Sequence, residues 1–108
     1  MPSEAPTKKV LVADEDEIVA FIASHVLSRY EFTVVTTTSA AAVADDRDGY
    51  DAVVVSAAIA AKVAPTLPAA HTIILGDEVQ GLKPFARLRK PVEIGELVAA
   101  VTACANRR

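Results

Sequence analysis

Short, uninterrupted apolar runs alternate along this chain with segments of helical spacing. The first run, Val10–Ala13, predicts a strand at 9–13, and its lack of polar positions is typical of a strand buried on both faces of a parallel sheet. Comparable runs rich in valine, isoleucine and threonine predict further strands at 32–36, 51–55, 72–75 and 85–88. Because strands and helices alternate, the pattern predicts an α/β fold with a doubly wound parallel sheet.

The segments between these runs predict helices of unequal length. One helix is predicted at about 16–29, with acidic residues in its first turn, where the helix dipole favours them. A second begins after the capping residue Ser39 and stops near Arg47, and the last spans about 93–105. The apolar positions that define the first and last helices are Ile18, Phe21, Ile22 and Val26, and Ile94, Leu97, Val98, Val101 and Cys104.

Two connections are too short or too rich in proline for ordinary helices. The segment 57–70 contains Pro65 and Pro68, so its helix is confined to about 57–64. Only nine residues, 76–84, separate the fourth and fifth strands, fewer than the roughly 10–12 that a parallel crossover with a helix requires. The helix of that connection is therefore predicted to be one turn or missing.

The composition fits one domain and excludes several functions. We expect an ordered domain at 8–105 between a disordered lead-in at 1–7 and a short tail at 106–108. The 11 basic and 14 acidic residues give a net charge of −3, which argues against general nucleic-acid binding. No run approaches the roughly 18 apolar residues of a membrane span, and residues 1–9 lack an apolar signal-peptide core, so a cytoplasmic location is predicted.

The cysteine and histidine content argues against disulfide and zinc chemistry. Cys104 is the single cysteine, which excludes an internal disulfide, and the two histidines, His25 and His71, lack zinc-ligand spacing. We interpret both histidines as structural or surface residues and Cys104 as a small residue of the core.

Polar residues gather at the predicted carboxyl ends of the strands, the edge at which open parallel sheets bind ligands. An acidic run from Asp14 to Asp16 follows the first strand. The residues that end or follow the later strands are Ser56, Gly76, Asp77, Lys90 and Pro91.

The order and spacing of three stretches resemble the receiver domains of response regulators. The stretches are Lys9–Asp16, Tyr50–Ser56 and Lys90–Leu97, and the resemblance covers about 8–105. It implies a flavodoxin-like five-stranded sheet in the order 2-1-3-4-5 and a role in bacterial two-component signalling. In this family, acids after the first strand help to bind Mg²⁺, and an aspartate that ends the third strand accepts a phosphoryl group. A hydroxyl after the fourth strand and an aromatic residue on the fifth respond to that group.

Part of this machinery is retained. Asp14 and Glu15 match the acidic pair, although Glu15 is longer than the usual aspartate, and Lys90 matches the lysine that contacts the phosphoryl group. The resemblance implies a weak or vestigial Mg²⁺ site at most, and no cofactor is expected. Two interpretations stay open. One is a residual cation site, and the other is a structural charge network in which the acids favour the helix N-terminus and Lys90 balances them without an ion.

Other positions depart from the family. Ser56 stands where the phosphoacceptor aspartate should be, and a serine hydroxyl cannot form the acyl phosphate. Gly76 replaces the sensing hydroxyl, and Arg87 lies three residues before Lys90, where the switching aromatic residue is usual. Ser56 and Lys90 would suit a Ser–Lys nucleophilic pair, but the flanks of Ser56 lack the Gly-x-Ser-x-Gly elbow, so we expect no enzymatic activity.

A cluster of basic residues makes the region of the predicted fifth strand positively charged, although the chain as a whole is acidic. Its members are Lys83, Arg87, Arg89 and Lys90. Such charges either discourage edge-to-edge association of strands or form a surface for an anionic partner or a phosphate-bearing ligand. The candidate partner surface is Lys83, Arg87 and Arg89.

The sequence therefore predicts an atypical receiver, or pseudo-receiver, that acts by phosphorylation-independent protein–protein interaction, as a monomer or weak homodimer without nucleic-acid or membrane partners. One alternative is a receiver that accepts a phosphoryl group or binds Mg²⁺ through another acid, such as Asp16 or Asp77. A second alternative is an anion or small-molecule sensor in which Ser56, the Gly76 backbone and Lys90 hold the ligand.

Overall fold

A five-stranded parallel sheet with helices on both faces organises the part of the chain that the computed structural model describes, residues 8–30, 32–45, 50–63, 67–90 and 92–106. The strands are β1 (Lys9–Ala13), β2 (Thr33–Thr37), β3 (Ala52–Ser56), β4 (Thr72–Leu75) and β5 (Ala86–Leu88). Their spatial order is β2-β1-β3-β4-β5, so the predicted fold class and strand order are confirmed. Each strand begins and ends within one residue of its predicted bounds.

The helices of the described residues also follow the predicted order. They are α1 (Glu17–Ser28), α2 (Ala40–Asp45), α3 (Ala57–Val63) and α4 (Ile94–Ala105), with a 3₁₀ turn at Ala69–His71. The prediction of a short α3 is confirmed, and the connection between β4 and β5 contains no helix. The predicted lead-in at 1–7, the end of α2 near Arg47 and Pro65 beyond α3 lie outside the described residues, as do Pro91 and 107–108 of the predicted tail.

The sheet separates two apolar layers. Side chains of β1, β3 and β4 alternate between the face covered by α1 and α4 and the face covered by α2 and α3, and all three strands are buried at their central positions. Val79 and Leu82, from the connection between β4 and β5, are buried in the layer of α2 and α3. These two side chains occupy the side of the sheet on which a crossover helix would otherwise pack.

Helix α1 buries a different face from the one its large apolar residues suggest. Its buried residues are Ala20, Ala23 and Leu27. Ile18 and Phe21 are 68% and 69% exposed, and Ile22 is 48% exposed. The residues that pack have i, i+3 and i+7 spacing, and the two alanines let the helix backbone lie close to the valine-rich sheet. Of the four side chains that predicted the helix, these three are therefore exposed, and Val26 is half-buried.

Helix α4 confirms most of its predicted apolar face. Leu97, Val101 and Cys104 are buried against the sheet, and Cys104 is a core residue as predicted. Ile94 is the exception, because its place in the first turn leaves it 52% exposed. In the described part of the chain, no helix has the length and apolar character needed to cross a membrane.

Candidate functional site

The polar residues singled out in the sequence converge at the carboxyl edge of the sheet. Asp14 follows β1 directly, Ser56 ends β3, and Lys90 lies two residues beyond β5. Because β1, β3, β4 and β5 lie side by side and run parallel, the carboxyl ends of β1, β3 and β5 place these side chains at one edge of the sheet. The histidines lie elsewhere, since His25 stacks on Phe21 along α1 and His71 Nδ1 is 3.3 Å from the Asp51 carbonyl oxygen before β3.

Asp14 is completely buried and is held on both carboxylate oxygens. Its Oδ1 accepts a hydrogen bond of 2.8 Å from the backbone N–H of Asp16. Its Oδ2 lies 3.0 Å from Lys90 Nζ, and this ion pair is what neutralises the oxygen, because Oδ2 accepts no well-aligned hydrogen bond from the described residues. A buried carboxylate without a cation would be costly, so Lys90 has a structural task here.

Ser56 joins the second acid of the pair to the start of α3. Its Oγ donates to a Glu15 carboxylate oxygen at 2.5 Å and accepts a hydrogen bond of 3.2 Å from the backbone N–H of Ile59. The second contact is that of a helix N-cap, which satisfies an N–H that has no partner within the helix. The hydroxyl hydrogen and an oxygen lone pair of Ser56 are therefore both in use.

The charge state of Glu15 follows from these contacts. The hydrogen bond from Ser56 is the largest cause that lowers the pKa of Glu15 below its ordinary value, followed by the backbone N–H of Glu15 itself. The positive charge of Lys90 lowers this pKa further, while partial desolvation of the carboxylate opposes the change. Glu15 is therefore an ionised carboxylate stabilised by the protein itself.

The structure brings together Gly76 and Arg87, the two residues that the resemblance assigns to the family's switch positions. The guanidinium of Arg87 donates from Nη1 to the Gly76 carbonyl oxygen at 3.2 Å, and the Gly76 N–H donates to the Leu88 carbonyl oxygen at 2.8 Å. Gly76 has a φ of +118°, a conformation that residues with a Cβ rarely adopt. A serine or threonine at this position would therefore strain the backbone in its present conformation.

The residues present do not fit the Mg²⁺ that receiver domains bind. Mg²⁺ prefers several oxygen ligands in octahedral geometry and is held through carboxylates. Here Asp14 faces the Lys90 ammonium, Glu15 faces the Ser56 hydroxyl, and Ser56 supplies a neutral oxygen in place of the third carboxylate. Among the residues that the structure describes, no three His, Cys, Asp or Glu side chains are grouped so as to hold a metal ion.

The structure does not support the predicted anion-holding group of Ser56, Gly76 and Lys90, because two of its three donors have partners within the protein. Ser56 donates its proton to Glu15, and the Gly76 N–H is used by Leu88. Only Lys90 of the three retains donors toward solvent, with 36% of its side chain exposed. Arg87 and Arg89 instead line a separate cleft with Lys90, and Lys83 lines a neighbouring depression with Arg87.

Sequence reasoning missed the structural role of Ser56. The signal was available, because a serine between a strand and a predicted helix is a common N-cap. Its contact with Glu15 was not readable, since the two residues are 41 positions apart. Asp16, one of the acids considered for phosphoryl chemistry, is the N-cap of α1, where its Oδ1 accepts a hydrogen bond from the Ile18 N–H at 2.9 Å.

Several receiver domains are among the solved structures that this structure resembles. A response regulator receiver domain protein from Clostridium thermocellum is 21% identical with a TM-score of 0.72, over 93% of this chain and 95% of its own. The Francisella response regulator 1452 receiver domain is 19% identical with a TM-score of 0.76, over 94% and 98% of the two chains. This chain has the receiver-domain fold.

A further receiver structure gives the same result. The signal receiver domain of an HD domain-containing protein from Pseudomonas fluorescens Pf-5 is 15% identical with a TM-score of 0.75, over 97% of this chain and 91% of its own. No protein-family model matches the sequence, and no curated protein matches it. At these identities the receiver fold is shared, whereas the activity has to be argued from the site.

Proposed function

We propose that this protein is an atypical receiver that acts in bacterial signal transduction by binding a protein partner, without phosphoryl transfer and without Mg²⁺. The observation that carries the proposal is the double engagement of Ser56, whose Oγ donates to Glu15 and caps α3 through Ile59. A hydroxyl in these contacts stabilises the fold, and it offers no carboxylate for acyl phosphate formation. The ion pair of Lys90 with Asp14 supports the same conclusion, because the lysine is already paired.

The proposed partner surface is the basic one at Lys83, Arg87 and Arg89. All three side chains are exposed, and none has a carboxylate within ion-pair distance among the described residues. Exposed, unpaired cations in an acidic protein favour a partner with an acidic segment and accelerate its association. The exposed apolar side chains of α1, above all Phe21, support a role in protein binding, since large apolar patches on a surface mark interaction sites.

A first experiment tests whether the site responds to phosphoryl chemistry. Amide spectra of the ¹⁵N-labelled protein are recorded with Mg²⁺ and then with Mg²⁺ and beryllofluoride, which mimics a phosphorylated aspartate. We expect no saturable shifts at Ser56, Gly76 or Lys90 in the wild type. Ser56→Asp is the matched control, because it restores the acceptor carboxylate at the same position. Saturable shifts in the wild type that require beryllofluoride would contradict the proposal.

A second experiment tests the partner surface. The wild type, an Arg87→Glu/Arg89→Glu variant and a Lys62→Glu control are compared in capture of proteins from a lysate of the source cells. Lys62 is an exposed lysine on α3, away from β5. We expect one protein to be retained by the wild type and the control, lost by the double variant and unaffected by beryllofluoride. Retention by all three proteins, or by none, would contradict the proposed surface.

The alternative function is phosphorylation of another acidic residue, and of the two acids considered, Asp16 and Asp77, only Asp77 remains a candidate. Asp16 is committed to the N-cap of α1, whereas the carboxylate of Asp77 lines the cleft of Arg87 and Arg89. Treatment with acetyl phosphate followed by intact-mass measurement distinguishes the two proposals. An unchanged mass supports the interaction-only receiver. A mass gain of one phosphoryl group in the wild type that is absent in Asp77→Asn would support the alternative.

A further inference from the structure

A polar cleft lies beside the degenerate phosphorylation site. Its volume is about 360 Å³, and it opens at the carboxyl ends of β4 and β5. The lining residues are Gly76, Asp77, Arg87, Arg89 and Lys90. Ser56 and Glu15 do not line it, whereas Gly76 and Lys90, which the resemblance assigns to the phosphoryl pocket of receiver domains, do, so the cleft adjoins that pocket. A concave site of this size is at the lower end of the range for small-molecule sites.

The cleft concentrates positive charge in an acidic protein. Three of its lining side chains are cationic and only Asp77 is anionic, in a chain with a net charge of −3. Among the described residues, Arg87 and Arg89 have no carboxylate within 4.0 Å, whereas Lys90 is paired with Asp14. The positive charges of Arg87 and Arg89 repel each other, so a bound anion would relieve the repulsion.

Arg87 is positioned to receive such an anion. Its Nη1 donates to the Gly76 carbonyl oxygen at 3.2 Å, which fixes the guanidinium across the ends of β4 and β5. A guanidinium has five N–H donors in a planar fork, so this one bond leaves donors for an oxyanion. Holding the side chain in place before binding reduces the conformational entropy lost when a ligand is bound.

We propose that this cleft binds a phosphate-bearing anion non-covalently through Arg87 and Arg89, while Lys90 stays paired with Asp14. A phosphate presents several charged oxygens that match the forks of the two guanidinium groups, as in charge-assisted hydrogen bonds. Asp77 opposes the ligand charge and tunes the affinity. No covalent step is involved, and the hydroxyl of Ser56 takes no part, because it is bonded to Glu15.

The inference deepens the proposed function, since Arg87 and Arg89 also belong to the proposed partner surface. A phosphate held between them would compete with an acidic segment of a protein partner. Anion binding itself needs no partner, so it is measured on the isolated protein. Failure of the phosphate titration therefore leaves the capture experiment unaffected, and failure to capture a partner leaves the titration unaffected.

The test is a titration of the ¹⁵N-labelled protein with inorganic phosphate, with sodium chloride at matched ionic strength as the reference. We expect saturable amide shifts at Gly76, Asp77, Arg87 and Arg89, with a Kd of about 1 mM or lower, within the affinity that five non-hydrogen atoms can supply. The amides of Ser56 and its neighbours are expected to shift much less.

Charge variants make the test specific. We expect Arg89→Ala to weaken phosphate binding about five- to tenfold and Arg87→Lys, which keeps the charge without the fork, to weaken it less. Asp77→Asn removes the opposing charge and is expected to tighten binding about two- to fivefold. Lys62→Ala removes one exposed positive charge on α3 and is expected to leave the Kd unchanged. All four positions are exposed or half-buried, so the variants are expected to fold.

Three outcomes would overturn the inference. The first is a response that does not saturate or that sodium chloride reproduces, which indicates general screening of charge. The second is a set of shifts centred on Glu15 and Ser56, which places the anion in the degenerate phosphoryl pocket. The third is an equal loss of affinity in Arg89→Ala and Lys62→Ala, which indicates attraction by net charge without a defined site.

Discussion

Ser56 donates a hydrogen bond of 2.5 Å to Glu15, although the two residues are 41 positions apart in the chain. The bond connects the end of β3 to the loop after β1, at the edge where receiver domains carry out phosphoryl chemistry. Since Ser56 also caps α3 through Ile59, one hydroxyl stabilises a carboxylate and a helix end together. Ser56 thus has a structural task of its own.

Ser56→Ala tests that task. The variant loses the N-cap and is expected to be destabilised by about 1 kcal/mol in urea unfolding, because the Ile59 N–H is left without its partner. The pKa of Glu15 is expected to rise toward its ordinary value, which carboxyl NMR titration measures. Ser56→Thr, which keeps a hydroxyl, is the control. An unchanged Glu15 pKa in Ser56→Ala would contradict the interpretation of the site.

The sign of the pH dependence follows from the lowered pKa of Glu15. A carboxylate whose pKa is lower in the folded state stabilises the fold at pH values above its unfolded pKa. That contribution is lost as the pH falls through the folded pKa, because the protonated acid forms in both states. The stability difference between the wild type and Ser56→Ala is therefore expected to narrow on acidification, as urea unfolding at a series of pH values would show.

The ion pair of Lys90 and Asp14 is expected to stabilise the fold. Lys90→Met leaves a fully buried carboxylate without its cation, which is expected to cost about 1–3 kcal/mol. Asp14→Asn in the same chain removes that charge and keeps an oxygen for the Asp16 N–H, so the double variant is expected to recover part of the loss. A double-mutant cycle in urea measures the coupling, and additive effects would contradict a pair at this position.

Truncation of two residues of α1 is expected to reduce stability to very different extents. Leu27→Ala opens a cavity in the layer between α1 and the sheet, with an expected loss of about 2–5 kcal/mol. Phe21→Ala removes a larger side chain that is 69% exposed, and its effect is expected to stay below about 1 kcal/mol. Chemical unfolding of the two variants measures both, and a larger loss for Phe21→Ala would mean that α1 packs through its other face.

Glycines 76 and 95 form a matched pair for backbone strain. Gly76→Ala is expected to destabilise the fold by about 1–3 kcal/mol, because its φ of +118° disfavours any residue with a Cβ, although the new atom would only touch Ala57 at 3.5 Å. Gly95→Ala lies within α4, where a Cβ meets nothing within 4 Å, and is expected to stabilise by about 0.4–1 kcal/mol. Thermal unfolding measures the stability change of both variants, and equal changes in Gly76→Ala and Gly95→Ala would exclude backbone strain at Gly76.

Ser56→Asp is expected to restore a dependence on Mg²⁺. The added carboxylate lies beside Glu15, so without metal the variant is expected to be less stable than the wild type. With a Kd of about 1 mM, about 10 mM Mg²⁺ would stabilise it by about 1.4 kcal/mol, or about 5–10 °C in Tm. Ser56→Asn is the neutral control. A comparable Mg²⁺ effect in the wild type would contradict the poor fit of its residues to the metal.

Local pattern was sufficient for most of the fold. Apolar and β-branched runs placed all five strands to within one residue. The signal is clearest for β1, β3 and β4, because central strands of a parallel sheet are buried on both faces and exclude polar residues. Connection length was equally informative, since the residues between β4 and β5 are too few for a crossover helix. The packing face of α1 was not predictable in this way, because two alanines pack beside Leu27 while Ile18, Phe21 and Ile22 are exposed.

The sequence by itself determined the receiver-like order of elements and the positions of Asp14, Ser56 and Lys90 at one edge, since strand ends in a parallel sheet meet whatever their separation along the chain. Only the tertiary structure decided their bonding. Packing brings these residues together. Differences of a few tenths of an ångström then decide whether Ser56 bonds to Glu15, and whether Lys90 pairs with Asp14 or stays free for an anion. Hydrogen bonds and ion pairs depend steeply on such distances, and sequence spacing carries no information about them across separate strands.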